Sequence, residues 1–336
     1  MRVYKYRGGD KKIVRRDLRA LANNQIYLAP IDTLNDPFEA KVNVLDQSFE
    51  FGKALNLFTS IEHKEKVSEF EQQFLALTRD FINSSKTWGI YSLSKTFNDE
   101  LLWSYYANSH EGFCVEYDIE KLMEYKIPTE PIINVSYQDE MPTITSLDIL
   151  NVNQRIIQKK LVGTKSKRWE HENEVRIVTG EHGLFEYDYR ALKSIYFGSR
   201  SDEKFRKLTM RILKGRRIKY FLMQSKEGLY ELEALELHDP FFQAPKYFSS
   251  IAPIEEGVPH IDDTLKPYEE LINKAIEIVR REPYCKKILN VYISSSRGST
   301  ENPVFYVTCK HQDGFEQNIF LSKQEVLSHG NNISDT

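Results

Sequence analysis

The alternation of apolar and polar residues predicts both strands and helices along the chain. Apolar residues at every second position are typical of strands, and apolar residues three and four positions apart are typical of helices. Strands are predicted at residues 2–7, 25–29, 88–94, 113–117, 132–137, 172–178, 194–197, 217–223 and 229–237. Helices are predicted at residues 11–24, 47–84, 101–106, 147–162 and 202–213. This mixture predicts an α+β fold with a central, mostly antiparallel sheet flanked by helices.

The distribution of prolines predicts how the chain divides into domains. Five of the 12 prolines lie between residues 238 and 267, which indicates a linker at 239–266. The main domain then comprises residues 1–238. Residues 267–330 read as a helix, three strands and a helix, a small αβββα module in which we find no catalytic constellation. We interpret this module as an interaction module that binds a protein partner.

The stretch from Trp88 to Asp118 is the centre of the predicted main domain. It combines a strand that ends in Ser92 and Ser94, a helix that carries Trp103 and Tyr106, and a second strand after Gly112. Two interpretations are open. The rings are core packing, or they form the wall of a pocket for a flat ligand with hydroxyl groups at its rim.

A second informative stretch contains three charged residues, Glu172, Glu174 and Arg176, which alternate with apolar ones. In a strand over 172–178 the three charges share one face, whereas in a helix Glu172 and Arg176 form an exposed i,i+4 pair of little energetic value. The residues around Val175 and Ile177 favour the strand. We therefore expect a polar site here, with a solvated sheet face as the alternative.

A third candidate lies where residues 35–39 read Asn-Asp-Pro-Phe-Glu. Pro37 fixes its own φ and moves Asp36 out of the helical region, so the segment predicts a turn. Asp36 either serves only this turn or, together with Glu39, brings a carboxylate to the end of a strand.

Composition limits the classes of function. Charged residues make up 28% of the chain and the net charge is -3, a balance that argues against coating nucleic acid but not against a local basic groove. No run of 18 apolar residues and no signal peptide are present. The three cysteines, Cys114, Cys285 and Cys309, are too few and too scattered for a disulfide framework or a zinc cluster. We expect a cytoplasmic protein that does not contact a membrane.

Four blocks of sequence, taken together and in order, carry a resemblance to a known family. They are Tyr4-Lys5-Tyr6, the segment 35–39, Trp103-x-x-Tyr106-Ala107 with residues 112–117, and Trp169-x-x-Glu172-x-Glu174-x-Arg176. Over residues 1–240 the chain resembles the bacterial domain-of-unknown-function 2971 family. The resemblance implies a fold more than a chemistry. Because members occur among mobile-element and phage-defence genes, it also implies a toxin-like effector.

Among chemistries, transfer from NAD is the leading hypothesis. The chain has no glycine-rich phosphate loop, HExxH motif, paired-cysteine zinc spacing or G-x-S-x-G motif. The order of a basic residue on an early strand (Lys5 or Arg7), Ser92-Leu93-Ser94 and Glu172-Asn173-Glu174 is similar to that in arginine-type ADP-ribosyltransferases. This similarity implies ADP-ribosyl transfer or NAD hydrolysis, with catalytic roles for Glu174, Glu172 and Arg176. The residues expected to bind NAD are Lys5, Tyr6, Ser92, Ser94, Trp103, Tyr106, Asn35 and Asp36.

Two alternatives remain open. In the first, the chain is a magnesium-dependent nuclease of RNA or DNA whose ion is held by Asp36, Glu39, Glu172 and Glu174. Lys165, Lys167 and Arg168 then contact the phosphates of the nucleic acid. In the second, the chain is a non-catalytic sensor that binds a nucleotide or a phage protein and signals through the C-terminal module.

Overall fold

The computed structural model describes residues 1–45, 76, 78–123, 132–145, 148, 155–244, 247, 251–282, 284–311 and 314–330. The chain divides into two compact units, Met1–Ala244 and Pro245–Thr336. Most of the helix predicted at 47–84 lies outside the described residues, but residues 78–84 are helical. None of the helices in the described part of the chain is long and apolar enough to cross a membrane.

The first unit contains the following strands and helices. Its strands are β1 (Arg2–Arg7), β2 (Gln25–Pro30), β3 (Asn43–Leu45), β4 (Gly89–Ser94), β5 (Phe113–Asp118), β6 (Ile133–Asn134), β7 (Ser136–Gln138), β8 (Thr143–Thr145), β9 (Thr164–Ser166), β10 (Glu174–Thr179), β11 (Gly183–Glu186), β12 (Leu192–Phe197), β13 (Lys219–Ser225) and β14 (Leu232–Leu237). Besides the helical residues 78–84, its helices are α1 (Lys11–Ala22), α2 (Glu100–Tyr106), α3 (Ile119–Met123), α4 (Arg155–Val162) and α5 (Glu203–Ile212).

One large sheet organises this unit. Its order is β11-β2-β4-β1-β5-β12-β13-β14, and β10 pairs with both β4 and β6. The pairings are antiparallel except for β12 with β13, which run parallel. The parallel pairs β3–β8 and β7–β9 lie outside the large sheet. The predicted α+β class with a mostly antiparallel sheet is confirmed.

Both faces of the sheet are covered at its centre. Alternate residues of a strand point to opposite faces, so each strand of the centre contributes to two separate cores. On one face Val3 and Val115 pack with Leu18 of α1. On the other face Tyr4 packs with Trp103 of α2. A strand in the middle of this sheet is therefore buried on both sides, polar residues included.

Local chemistry places the helices and turns. Asp10 accepts hydrogen bonds from the backbone N–H groups of Lys12 and Ile13 at the start of α1, and Asp99 accepts one from that of Leu102 in α2. Gly112 brings β5 against β1 so closely that a Cβ atom there would lie 2.2 Å from the carbonyl oxygen of Arg7.

The strand predicted at 172–178 begins two residues later than expected. Residues Lys167–Glu172 form a 3₁₀ helix, and Asn173 takes a left-handed conformation with φ 43° before β10 starts at Glu174. Asn tolerates this conformation better than most residues, so the turn is local in origin. The prediction that Glu172 shares a strand face with Glu174 and Arg176 is wrong.

The described residues of the second unit form a small layer of three strands and two α-helices. Its elements are α6 (Glu269–Val279), β15 (Cys285–Gly298), β16 (Pro303–His311), β17 (Glu316–Ser322) and α7 (Lys323–Gly330). The strands form an antiparallel sheet in chain order, separate from the large sheet. The predicted αβββα order is confirmed. Within the segment predicted as a linker, Ala252 bonds to the backbone of Arg280 and Ile254 bridges to Ile288, so residues 252–255 pack with this unit.

Candidate functional site

A cleft opens where two strands leave the same edge of β4. One edge of β4 pairs with β10 along its whole length. The other edge pairs with β1 only at Ser94 and with β2 only at Gly89 and Ile90. In the gap between them, the Nζ atom of Lys5 donates a hydrogen bond of 2.7 Å to the carbonyl oxygen of Ser92 and so takes the place of a neighbouring strand. The cavity beside this gap has a volume of about 300 Å³.

The split brings residues from both faces of the sheet to one cleft. Lys5 and Tyr4 are neighbours on β1, so their side chains lie on opposite faces of the sheet. Tyr4 is in register with Ser94 of β4, and Ser94 is in register with Glu174 of β10. All of these residues nevertheless line the same cavity. Basic side chains of β1 and α1 and carboxylates near β10 therefore face one ligand-sized space, which an unbroken sheet would keep apart.

The carboxylates belong to a buried ion cluster formed by Glu39, Lys165, Glu172, Glu174 and Arg176. Arg176, only 1% exposed, is its centre. Its guanidinium donates to both oxygens of Glu174 at 2.8 and 2.9 Å, and to both oxygens of Glu39 at 2.8 and 2.6 Å. Two bidentate pairs on one guanidinium fix all three side chains.

Lys165 and Tyr106 hold the remaining carboxylate of the ion cluster. Lys165 Nζ lies 2.5 Å from Glu172 Oε2, 3.4 Å from Glu174 Oε2 and 3.5 Å from Glu39 Oε1. The Tyr106 hydroxyl donates to Glu172 Oε1 at 2.6 Å. Glu172 thus receives one donor on each oxygen, whereas Glu174 receives two from Arg176 and further contacts from Lys165 and Ser92. A carboxylate offers about four acceptor positions, so Glu172 has more capacity left for a ligand.

Backbone contacts set the positions of the two glutamates. The Ser94 hydroxyl donates to the carbonyl oxygen of Glu172 at 2.8 Å and fixes the end of the 3₁₀ helix. The Tyr137 hydroxyl accepts from the backbone N–H of Glu174 at 2.7 Å. The predicted serines therefore act differently. Ser94 positions Glu172 through the backbone, while Ser92 contacts the Glu174 side chain.

The electrostatics of the ion cluster favour the ionised form of Glu174. Burial alone would raise the pKa of Glu174, but the charge and hydrogen bonds of Arg176, with Lys165, lower it to about 2. The same carboxylates outweigh burial at Lys165 and Arg176 and raise the pKa of both cations. Three carboxylates against two cations leave the ion cluster with one net negative charge beside the cleft.

The pKa of Lys5 is shifted in the opposite direction from that of Lys165. Burial, together with the charge of Arg7, lowers the pKa of Lys5 to about 7, although Glu174, Glu172 and Asp17 partly offset this effect. Its ammonium group also lies 5.1 Å from the ring centroid of Tyr91. Lys5 therefore changes its charge near neutral pH.

The structure separates the residues expected to bind NAD. Lys5, Tyr6, Asn35, Ser92, Ser94 and Tyr106 all line the cleft. Trp103 does not, because it is fully buried in the core, with its ring against Tyr6 and its indole N–H donating to the carbonyl oxygen of Phe97. Asp36 does not either. Its carboxylate accepts from the backbone N–H of Phe38, which is the contact that the turn interpretation of Asp36 predicts.

The four carboxylates proposed for a magnesium ion are not arranged around one. Lys165 and Arg176 occupy the space between Glu39, Glu172 and Glu174, and Asp36 bonds within its own turn. In the part of the chain that the structure describes, no group of three His, Cys, Asp or Glu residues is placed to hold a metal ion. Lys167 and Arg168, expected on phosphates, are exposed.

Sequence reasoning missed several residues of this site, among them Tyr137 and Asp17. Tyr137 contacts Glu174 across 37 positions of sequence, and no spacing signal predicts such a contact. Asp17 lines the cleft from α1, where its charge was hidden within an ordinary amphipathic helix. Glu39 and Lys165 were expected to bind a metal ion and phosphates, respectively, rather than each other.

Comparison with known proteins supports one of the sequence resemblances. Residues 102–177 match the model of the family described as Protein of unknown function (DUF2971). The matched segment runs from α2 to β10 and includes Tyr106, Glu172, Glu174 and Arg176. The resemblance to this family is therefore confirmed, over a shorter part of the chain than the four sequence blocks span. No curated protein and no solved structure gives a match.

Proposed function

We propose that the cleft binds NAD and that the chain cleaves its N-glycosidic bond, passing ADP-ribose to water or to an acceptor. The observation that carries the proposal is the split at β4. It places basic side chains, suited to a diphosphate, and ionised carboxylates, suited to ribose hydroxyls, around one cavity. The ring of Tyr106 lines the same cavity and offers a flat surface to a base.

The reaction that this arrangement supports needs no metal ion and no external oxidant. The bond between ribose C1′ and the nicotinamide nitrogen breaks, and its electron pair goes to that nitrogen. Positive charge then develops on the ribose, and the negative ion cluster stabilises it. A lone pair of water or of an acceptor forms the new bond to C1′, and the proton it loses passes to a carboxylate.

Within the ion cluster we assign the contact with ribose to Glu172. It has unused acceptor capacity, and its neighbours Tyr106 and Lys165 hold it in place. Glu174 and Arg176 are positioning residues in this proposal, since their bonds to each other and to Glu39 and Lys165 occupy them. The sequence pattern, in contrast, indicated catalytic roles for all three residues, Glu174, Glu172 and Arg176.

The test compares Glu172→Gln with Glu170→Gln, using labelled NAD and the purified chain. Glu170 lies on the same 3₁₀ helix but is exposed, so its substitution controls for the loss of one charge. We expect Glu172→Gln to lower turnover by about two to four orders of magnitude and Glu170→Gln to leave it unchanged. Asp36→Asn should retain turnover, because Asp36 serves the turn.

The same samples are incubated with RNA and magnesium, with and without EDTA. RNA cleavage that EDTA abolishes, lost equally in Glu172→Gln and Asp36→Asn, would establish the nuclease alternative and overturn the proposal. NAD binding without turnover in the wild-type chain would instead establish the sensor alternative.

The charge of Lys5 provides an independent check on where the diphosphate binds. Lys5 is protonated below about pH 7 and loses its charge as the pH rises through that value. The affinity for NAD should therefore fall as the pH increases past 7, and Lys5→Arg, which stays charged, should remove this dependence. An affinity that is constant over this range in the wild-type chain would contradict a role for Lys5 at the diphosphate.

The cellular setting is part of the proposal. Cys114, Cys285 and Cys309 are free thiols and all three are buried, which supports a reducing compartment such as the cytoplasm. An enzyme that consumes NAD or modifies a target there would act as the toxin-like, phage-defence effector that the family resemblance implies.

A further inference from the structure

The three-stranded sheet of the second unit has one covered face and one open face. In β16, the residues Phe305, Val307 and Cys309 are fully buried, and the Tyr268 ring beside α6 packs edge-on against Phe305. The residues that alternate with them, Val304, Tyr306, Thr308 and Lys310, are only half-buried. The open face is thus formed by alternate residues of β15, β16 and β17.

A row of three aromatic rings crosses this open face. Tyr292, Tyr306 and Phe320 are register partners on the three strands. Their ring centroids lie 5.6 and 5.7 Å apart. Tyr292 is 40% and Phe320 37% exposed, so the rings keep surface for another flat group. The guanidinium of Arg297 lies 3.9 Å from the ring centroid of Phe320 and extends the row with a planar cation.

Two polar rows lie beside the aromatic row. The first contains Asn290, Thr308 and Asn318, which carry amide and hydroxyl donors and acceptors. In the second, Lys287 and Lys310 are register partners across β15 and β16, and Glu316 stands opposite Lys310. Like charges directly opposite each other are unfavourable unless an anion lies nearby. Glu255 supplies one such anion to Lys287, at 2.6 Å.

We propose that this open face binds single-stranded nucleic acid. Bases would stack on the aromatic row, the amide row would contact base edges, and Arg297 and Lys310 would contact phosphates. Sheet faces of this kind bind unpaired bases because every base has a flat surface and an edge of donors and acceptors. Protein interfaces also use aromatic rings and arginine, so the feature that favours unpaired bases is the alignment, in register across three strands, of a ring row, an amide row and cations. The inference concerns the second unit alone and does not depend on NAD cleavage.

The experiment measures fluorescence anisotropy of labelled single strands of about ten nucleotides, RNA and DNA, with the full chain at low salt. We expect binding that Tyr306→Ala weakens by about fivefold or more, since one stacked base contributes at least about 1 kcal/mol. Tyr306→Phe keeps the ring and should keep the affinity. Tyr230→Ala removes a fully exposed ring in the first unit and serves as the matched control.

A second pair of variants tests the phosphate contacts without changing the rings. Lys310→Ala should reduce the slope of log affinity against log salt by about 0.7, the value for one phosphate contact on a single strand. Arg297→Ala should weaken binding more than Arg297→Lys, because lysine keeps the charge but lacks the flat guanidinium. Circular dichroism and thermal unfolding of each variant separate loss of binding from loss of folding.

Three results would overturn the proposal. They are no binding of any single strand at low salt, equal affinity for a duplex of the same sequence, and an affinity that Tyr306→Ala and Phe320→Leu leave unchanged in folded protein. The last result would place any nucleic-acid binding elsewhere on the chain, such as beside the exposed Lys167 and Arg168.

Discussion

The strands β10 and β16 have the same kind of sequence and opposite surroundings. Residues 174–177 read Glu-Val-Arg-Ile and residues 306–309 read Tyr-Val-Thr-Cys. In each strand, residues with a polar group alternate with apolar ones. Every residue of β10 is buried, whereas β16 is fully buried only at alternate positions. The difference comes from what covers the second face, which is packed elements for β10 and solvent for β16.

This difference determines which interactions each strand requires. Charged side chains that are removed from water must be paired, and Arg176 meets that requirement with Glu174 and Glu39. Side chains on the open face of β16 remain in contact with water and need no fixed partner. The buried strand therefore carries a rigid constellation, and the half-open strand carries a surface that can accept a ligand without rearranging its core.

The largest expected effect follows from breaking the ion cluster. Arg176→Leu leaves Glu174 and Glu39 buried without their main partner, and we expect a loss of about 3–5 kcal/mol in the free energy of unfolding, measured by urea denaturation. Lys219→Ala breaks an exposed pair with Glu236 and should change stability by no more than about 0.5 kcal/mol. Similar effects of the two substitutions would show that burial does not distinguish these ion pairs.

A smaller effect is expected from acid. The folded pKa of Glu174 is about 2, below the value of a free glutamate, so its contribution is present above about pH 4.5 and is lost as the pH falls towards 2. The stability lost over this range should be about 2–3 kcal/mol from this group. Glu174→Gln has no charge to titrate, so the difference between this variant and the wild type should shrink as the pH falls. A difference in the free energy of unfolding between the two proteins that stays constant from about pH 5 to about pH 2 would contradict this explanation.

The hydrogen bond between Tyr137 and the backbone of Glu174 should contribute less to stability than the charge of Glu174 does. Tyr137→Phe leaves the backbone N–H of Glu174 without its acceptor, and we expect about 1–2 kcal/mol of destabilisation in a thermal or urea unfolding experiment. Tyr105→Phe makes the same chemical change at a ring that is 61% exposed, and it should have little effect. The comparison fails if Tyr105→Phe is the more destabilising of the two.

The smallest effect on stability is expected on the open face of β16. Tyr306→Ala removes two cross-strand ring contacts and should cost under about 1 kcal/mol, while Tyr306→Phe should be close to neutral. Differential scanning calorimetry of the two variants measures this. A cost for Tyr306→Ala as large as that of Arg176→Leu would mean that the face is part of a core rather than a surface.

Much of the fold was predictable from the sequence because it depends on local patterns. The alternation at residues 2–7 and 113–117 and the caps Asp10 and Asp99 define their elements within a few residues. The αβββα order of the second unit follows from periodicity and from turns near Gly298 and Gly314. One exception was Glu172, because a single left-handed residue, Asn173, ends one element and starts another.

The candidate site was predictable only in part. The alternation of Glu174 and Arg176 with apolar residues identified them as neighbours on one face. Nothing in the spacing indicated that Glu39, 137 positions from Arg176, would share its guanidinium, or that Tyr137 would bond to the backbone of Glu174. Trp103 was expected to bind the ligand because the sequence does not show which side of its helix faces the core, and the structure places this ring in the core.

The sequence by itself determined the types of element, their order and the polarity of each strand face, because these follow from interactions between residues a few positions apart. Only the tertiary structure decided which polar face would be buried and where the sheet would split. Covering both faces of β10 converts its charges into paired ions, and the divergence of β1 and β2 from one edge of β4 opens the cleft beside them. Both outcomes depend on contacts between residues far apart in the chain, which local periodicity does not encode.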